Sequence, residues 1–315
     1  MVAKVFIDGE AGTTGLQIRD RLAGRRDLEL LSIAPDKRKD QNERKRLLNA
    51  ADVAILCLPD EAAKESVSLI ENDTTRVIDA STAHRVADGW VYGFAEMSRK
   101  QAHRIAESKR VANPGCWPQG GIATLRPLVK AGILPADHPV VVNGISGYSG
   151  GGRSMIEDYV QKGEDANEFM PYGLTFKHKH LPELREYARL LSEPLFQPAV
   201  GNFAQGMITM VPLHLGLLPT ATTGAELHGA LADYYADIPG FVEVAPLAEA
   251  ERSPELNPEL YNNTNRMRLH VFSNDARGHA VLIAVYDNLG KGASGAAVQN
   301  LNLMMGVDAA TSLAA

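Results

Sequence analysis

The sequence has 315 residues, of which 45% are hydrophobic and 22% charged, a balance that supplies a globular chain with enough apolar material for two domains. A net charge of -6 leaves no basic field for nucleic acid, so an anionic ligand has to be met by a local cluster. No run of about eighteen apolar residues is present to span a membrane, the stretch from Met1 to Asp8 reads as a short strand rather than a signal peptide, and two cysteines in unlike settings suggest free thiols in a reducing cytoplasm.

Lys4-Val5-Phe6-Ile7 is a short apolar strand running into Gly9-Glu10-Ala11-Gly12-Thr13-Thr14-Gly15, after which Leu16, Ile18 and Leu22 recur on a helical pattern. Strand, glycine turn and helix in that order form the setting in which a dinucleotide pyrophosphate approaches the backbone and faces a helix N-terminus. The spacing is G-x-x-G-x-x-G, and a tight turn with no ligand is the alternative. The next strand, residues 28–33, should end where an adenine ribose lies. Glu29 comes early in that strand for a ribose carboxylate, Ser32 stands near its end, and Pro35-Asp36-Lys37-Arg38-Lys39 follows. A hydroxyl and cations there favour the additional 2′-phosphate of NADP, with Ser32, Arg38 and Lys39 as candidates; a solvated basic loop is the competing reading. Residues 52–58 form a continuous apolar strand, 62–70 a helix, 76–81 a fourth strand and 98–108 another helix. This alternation predicts a doubly wound, Rossmann-type α/β domain over residues 1–115.

Asn113-Pro114-Gly115-Cys116-Trp117-Pro118-Gln119-Gly120-Gly121 then places a cysteine between turn-formers and the start of a helix. Unpaired N–H groups and the positive end of the dipole at such a start favour a thiolate, the nucleophilic form, and the same donors suit an oxyanion. On residue type alone a free cysteine belongs in a core. Cys57, in Val53-Ala54-Ile55-Leu56-Cys57-Leu58, has the apolar neighbours for that role and Cys116 does not. After it, Ile122, Leu125, Leu128 and Val129 fit one helical face, Gly132 suits the C-cap, and Pro127 predicts a kink or a break.

From Pro139 onward the pattern changes to strands at 140–142, 207–211, 268–272 and 280–286, which predicts a mixed sheet in a second, α+β domain spanning residues 116–291. Ser146-Gly147-Tyr148-Ser149-Gly150-Gly151-Gly152-Arg153 reads as a flexible loop of hydroxyls, backbone donors and one guanidinium, suited to an anion or a substrate backbone. His178-Lys179-His180-Leu181-Pro182-Glu183 is the place to look for a proton-transfer partner for the cysteine, because Lys177, His178, Lys179 and His180 concentrate positive charge in an acidic chain. A solvated surface run is the alternative. Two histidines with Glu183 lack a further metal ligand, so no metal is expected. Residues 287–300 join a strand end to a helix through small residues, and Val298, Leu301 and Met305 give the helix of the 292–315 segment an apolar face with which to complete the nucleotide domain.

With these stretches in view, the chain resembles the N-acetyl-γ-glutamyl-phosphate reductases, in their short form, of the semialdehyde dehydrogenase superfamily. The resemblance runs nearly end to end. It is carried by the glycine turn at residues 9–15, Asn113-Pro114-Gly115-Cys116, residues 146–153, His178-Lys179-His180-Leu181-Pro182-Glu183, and Lys291-Gly292-Ala293-Ser294-Gly295-Ala296-Ala297 with Gln299-Asn300. Trp117-Pro118-Gln119 departs from the Tyr-Pro-Thr that follows the cysteine in many members. The resemblance implies NADPH-dependent reduction of an acyl phosphate with release of phosphate, in a cytoplasmic homodimer or homotetramer. It implies Cys116 as nucleophile and His180 as acid–base residue, Gly9, Gly12, Thr13, Thr14 and Gly15 with Ser32, Arg38 and Lys39 at the cofactor, and Ser146, Gly147, Arg153, His178 and Lys179 at the substrate. Aspartate-semialdehyde dehydrogenase shares this chemistry. A cysteine–histidine acyltransferase would leave the glycine turn without a use, and a non-catalytic NADP sensor would leave the cysteine without one.

Overall fold

The computed structural model describes residues 2–247 and 256–314; Met1 and Ala315, the outer bounds of the expected nucleotide domain, lie outside the described residues. The chain divides into two compact units, the first running to Ala95 and resuming over Lys100–Pro114 and Ala293–Ala314, the second made of Glu96–Arg99 and Gly115–Gly292.

In the first unit, β1 (Ala3–Asp8), α1 (Thr13–Leu22), β2 (Leu28–Leu31), α2 (Gln41–Ala50), β3 (Val53–Leu56), α3 (Asp60–Ser68), β4 (Arg76–Asp79), β5 (Val91–Tyr92), α4 (Gln101–Glu107) and β6 (Arg110–Ala112) follow one another. The strands form one sheet in the order β2-β1-β3-β4-β6-β5, parallel at every pairing. All four residues of β3 are buried, as a parallel strand covered on both faces requires. α1 turns Gly15, Ile18 and Leu22 inward, whereas Leu16, one residue off that stripe, is 48% exposed. α2 carries no clear apolar pattern and was not anticipated. Asp40 caps it by accepting from the amides of Asn42 and Glu43, and its Arg44 is buried against Asp8 (3.1 Å) and Ser66 (2.5 Å). A charged side chain here occupies a position that hydrophobic periodicity reserves for an apolar one.

The second unit contains α5 (Cys116–Lys130), β7 (Val141–Gly147), α6 (Gly152–Lys162), β8 (Phe169–Pro171), α7 (Leu181–Ala188), β9 (Leu195–Gly201), β10 (Met207–His214), α8 (Gly224–Tyr235), β11 (Val242–Val244), β12 (Met267–Asn274) and β13 (His279–Tyr286). Its sheet runs β11-β12-β13-β10-β7-β9-β8, with β7–β9 and β11–β12 parallel and the remaining neighbours antiparallel, so it is mixed as expected. α5 and α8 cover one face, over the buried Thr209, Val211, Leu269 and Leu282; Ile208 and Ile283 with the half-buried Met210, Phe272 and Val281 line the other. The segment read as a loop from Ser146 begins as strand, since Ser146 and Gly147 end β7. A 3-10 turn over Tyr148–Gly151 follows, and Arg153 already lies in the first turn of α6. A π-helical turn, Gly290–Ser294, leads to α9 (Gly295–Met305), whose Val298, Leu301 and Met304 join Val5, Ile18 and Ile105 in the core of the first unit.

Pro127 does not break α5. Proline has no N–H to offer the carbonyl four residues back, which is that of Ala123, and the hydroxyl of Tyr235 on α8 donates to that oxygen at 2.9 Å. The amide of Ala131 in turn bonds the carbonyl of Pro127 at 2.9 Å, so the helix continues to Lys130. Tyr235→Phe should therefore cost about 1–2 kcal/mol in urea unfolding. The loss should shrink when Pro127→Ala returns an amide donor to Ala123. Additive losses in that double-mutant cycle would contradict the assignment.

Candidate active site

Cys116 is the first residue of α5 and is half-buried. Gly115 precedes it in an extended conformation with no side-chain cap on the helix start, as the Asn-Pro-Gly sequence leads one to expect. Several groups outside the helix hold this first turn. The carboxylate of Glu183 accepts the amide of Gly115 at 2.9 Å. The hydroxyl of Tyr286 donates to the carbonyl of Cys116 at 2.8 Å and accepts from the amide of Gly120 at 3.2 Å, with Thr209 Oγ1 3.0 Å away. Burial raises the Tyr286 phenol far above its ordinary value, so it remains a donor throughout the neutral range.

Two adjacent glycines let α5 approach both neighbours. A Cβ on Gly120 would lie 2.7 Å from Tyr286 Oη and 2.8 Å from Thr209 Oγ1, and one on Gly121 would lie 2.5 Å from Leu184 of α7. That close passage brings α7 and the residue before it to the cysteine turn. His180 is the N-cap residue of α7 and is 5% exposed. Its carbonyl accepts the amide of Leu184 at 3.1 Å, and its own amide donates to His178 Nδ1 at 3.2 Å. The ring of His178 packs edge-on against His180 (4.7 Å between centroids), Phe196 (5.0 Å) and Tyr172 (5.8 Å). Tyr172 Oη accepts from Trp117 Nε1 at 2.9 Å. A continuous set of rings thus connects the first turn of α5 with His180. Lys179, between the two histidines, faces solvent.

Behind the helix start, Lys291 and Glu96 form a fully buried ion pair, 2.6 Å between Nζ and Oε2. Burial pushes the ammonium down and Glu96 opposes it. Glu96 also accepts the amide of Phe241 at 2.9 Å, while the backbone carbonyl of Lys291 accepts Gln119 Nε2 at 2.6 Å. The pair anchors the π-helical turn whose Gly292 lies against Cys116: a Cβ on that glycine would be 3.0 Å from the cysteine Cβ. Ser146 is buried with its hydroxyl turned to the carbonyl of Gly147 at 3.3 Å, and Asn288 ties the following turn through Ser149 Oγ (3.0 Å) and the amide of Gly206 (2.7 Å). Arg153 is not drawn into this cluster; its side chain is 78% exposed and pairs with Glu157 one turn along α6.

In the first unit the glycine turn has the shape of a cradle. Gly9 has φ +89, and a Cβ on Gly15 would meet the Gly9 carbonyl oxygen at 2.5 Å and Glu10 Cα at 2.8 Å. The amide of Gly12 closes the turn on the Gly9 carbonyl at 3.1 Å, and α1 starts at Thr13 and Thr14 with neither a side-chain cap nor an acidic residue in its first turn. Backbone donors stay available for an anion, which fits a dinucleotide pyrophosphate. Glu10, on the turn itself, is directed to Arg19 at 3.0 Å and to Arg38 at 3.4 Å. Ser32, Arg38 and Lys39 are all exposed. Cys57, below the turn, is a thiol pushed up to about 12 by burial and then by Asp79 and Asp8.

Sequence reasoning passed over Tyr172, Tyr286 and Lys291 as individual side chains and read Glu183 only as a metal-ligand candidate. Glu183 had a local signal, because an acidic residue in the first turn after Leu-Pro marks a helix start. The tyrosines had none. Each reaches the first turn of α5 from a segment distant in sequence.

Residues 4–105 match the semialdehyde dehydrogenase NAD binding domain and residues 116–288 the semialdehyde dehydrogenase dimerisation domain, which defines the class. The fold is similar to that of aspartate semialdehyde dehydrogenase II from Vibrio cholerae, with a TM-score of 0.71 at 14% identity over 97% of this chain and 98% of that one. Far closer in sequence are the N-acetyl-gamma-glutamyl-phosphate reductases of Mesorhizobium japonicum, 70% identical over 98% of this chain and 100% of the relative, and of Chelativorans sp., 72% identical over 97% and 99%. Within the semialdehyde dehydrogenases, the chain belongs to the N-acetyl-gamma-glutamyl-phosphate reductase family.

The two cysteines should differ sharply in reactivity. At about pH 8, iodoacetamide is expected to label Cys116 and to spare Cys57 in the folded protein. Because the Cys57 thiol keeps its proton when folded well above the ordinary 9.0, it favours the folded state below that value and withdraws that support as pH climbs towards about 12. Peptide mapping of the labelled protein decides the point, and comparable labelling of the two thiols would refute it.

Proposed function

We infer that this protein is an oxidoreductase that uses NADPH to convert N-acetyl-L-glutamyl 5-phosphate to N-acetyl-L-glutamate 5-semialdehyde and phosphate, a step of arginine biosynthesis. The observation that carries this reading is the half-buried Cys116 on the uncapped start of α5 in a chain 70% identical to a reductase of that name. A helix start favours negative charge, so it suits both a thiolate and the oxyanion that follows attack on a carbonyl. Cys116 Sγ attacks the acyl carbon, the carbon–oxygen bond to phosphate breaks, and a thioester to Cys116 remains. NADPH, when bound, supplies the hydride that reduces this thioester. His180, buried at the N-cap of α7, handles the proton as the thiohemiacetal on Cys116 collapses to aldehyde and regenerated sulfur. His178, packed on His180, with Lys179 and the exposed Arg153 are the candidates for the substrate's anionic groups, and Ser146 and Gly147 at the end of β7 are candidates for the rest of the substrate.

Gly9, Gly12, Thr13, Thr14 and Gly15 hold the cofactor's pyrophosphate with backbone donors, and Ser32, Arg38 and Lys39 are the candidates for its 2′-phosphate. Binding there asks Arg38 to exchange Glu10 for phosphate, and their 3.4 Å separation makes that a weak contact to give up. The enzyme works as a homo-oligomer, a dimer or tetramer, in keeping with the match of residues 116–288 to a dimerisation domain. It acts in the cytoplasm, a setting in keeping with two free cysteines and with the lack, among the described residues, of any helix long and apolar enough to cross a membrane.

The test is NADPH oxidation on addition of acyl phosphates. N-acetylglutamyl phosphate should be turned over and aspartyl phosphate left essentially untouched. Cys116→Ala should lower kcat by at least about 10⁴-fold and His180→Asn by about 10²–10³-fold. A Cys116→Ala variant with ordinary turnover would end the thioester reading.

A further inference from the structure

The geometry assigns Tyr172 a place among the catalytic residues: its hydroxyl, oriented by the indole of Trp117, donates a hydrogen bond to the oxygen on the acyl carbon while that carbon is bonded to Cys116. This assignment rests on the acyl-transfer reading above and deepens it. Its basis is donor arithmetic. An indole N–H can only donate, and Trp117 Nε1 stands 2.9 Å from Tyr172 Oη. The phenol oxygen is therefore the acceptor in that bond, and its own hydrogen is directed elsewhere. Among the described residues it meets no protein acceptor.

The phenol is held at three points. Its backbone amide bonds the carbonyl of Pro198 at 3.1 Å, its ring rests on His178, and its oxygen receives the indole. The indole is fixed in turn. Trp117 is 1% exposed, packs edge-on against Phe196 at 5.5 Å, and lies against Gly144, where a Cβ would stand 3.0 Å from Trp117 Cζ3 and 2.0 Å from the Ile208 carbonyl oxygen. Trp117 directly follows Cys116 in the first turn of α5, so its position and the cysteine's are set together.

Burial first and Cys116 second push the Tyr172 phenol up, which keeps the hydrogen in place at neutral pH. Tyr286 feels the same sulfur but cannot act this way, because its hydrogen is committed to the carbonyl of Cys116 and its oxygen to Gly120 and Thr209. A donor immobilised before the substrate arrives requires no reorganisation when charge develops on the acyl oxygen, which is the condition for strong transition-state stabilisation. The Trp117-Pro118-Gln119 departure from Tyr-Pro-Thr thereby acquires a role, since a tyrosine at residue 117 has no indole N–H to give.

The experiment compares Tyr172→Phe, Trp117→Phe and the double variant in steady-state turnover of the acyl phosphate. The rate and pH dependence of Cys116 alkylation by iodoacetamide serve as a second readout, because that reaction forms no oxyanion. Tyr172→Phe should lower kcat about 100-fold with KM changed by less than about twofold, and alkylation should be unaffected. Trp117→Phe should lower kcat about tenfold, and the double variant should be no slower than Tyr172→Phe alone, because the indole acts only through the phenol. An unchanged kcat in Tyr172→Phe, a raised KM with kcat preserved, slowed alkylation of Cys116, or multiplying losses in the double variant would each overturn the assignment. Should Tyr172→Phe not fold, Trp117→Phe, which leaves the phenol in place, decides the matter through its own kcat and alkylation rate. Full activity of Tyr172→Phe beside an inactive Cys116→Ala defeats the Tyr172 assignment alone; an active Cys116→Ala defeats the reading beneath it.

Discussion

The hydroxyl of Tyr286 lies between the carbonyl of Cys116 and the amide of Gly120, taking part in the first turn of α5 from the far end of β13. A helix start ordinarily frays, because its first amides have no partners within the helix. Here it cannot, for the turn is held to the sheet by a phenol and to α7 by the Glu183 carboxylate on Gly115. The amides of Cys116 and Trp117 belong to this rigid turn while no side chain caps it. A sulfur at such a place gains a fixed direction together with a favourable field. The placement of His180 follows, because the carboxylate that clamps Gly115 is three residues beyond it on α7.

Close approach of backbones makes that clamp possible. Gly120 and Gly121 face different neighbours, the sheet and α7, and a single added carbon on either would meet an atom at 2.8 Å or less. A Cβ on Gly144 would stand 3.0 Å from Trp117, and one on Gly292 3.0 Å from Cys116. Such glycines weaken a helix or strand taken alone by roughly 0.5–1 kcal/mol each. The packing of buried Trp117, Leu184 and Tyr286 around them offsets that loss.

Two buried ion pairs lie beside the two turns: Asp8 with Arg44 below the glycine turn, and Lys291 with Glu96 beside the cysteine turn. Desolvating such charges costs about as much as their attraction returns, so neither is a strong source of net stability. Their effect is on geometry. Glu96 holds both the Lys291 ammonium and the amide of Phe241, and the turn that carries Gly292 is set accordingly. Removing one member would strand the other charge in the core, which makes alternative packings of that turn costly.

Local chemistry made much of this protein legible. Glycines between an apolar strand and a helix, a cysteine after Asn-Pro-Gly, and β-rich runs after Pro139 report on dihedral preferences and periodicity, which residues carry with them wherever they fold. Those signals located the glycine turn, the helix beginning at Cys116 and the mixed sheet. They failed where a partner distant in the chain changes the rule. Pro127 implied a kink or a break, and a break is averted because Tyr235 supplies the donor that keeps α5 continuous. α2 and β9 went unread because Arg44 is buried by virtue of Asp8, and because Pro198 argues against a strand that its neighbours β7 and β8 nonetheless hold. Arg38 and Arg153 read alike as free cations, whereas one reaches Glu10 and the other Glu157. Residue types and their spacing determined by themselves that this chain would present a sulfur at a helix start and a backbone cradle after its first strand. Only the tertiary structure decided which rings, carboxylates and hydroxyls surround that sulfur, because hydrogen bonds between side chains remote in sequence exist only once the sheet and helices have brought them within 3 Å.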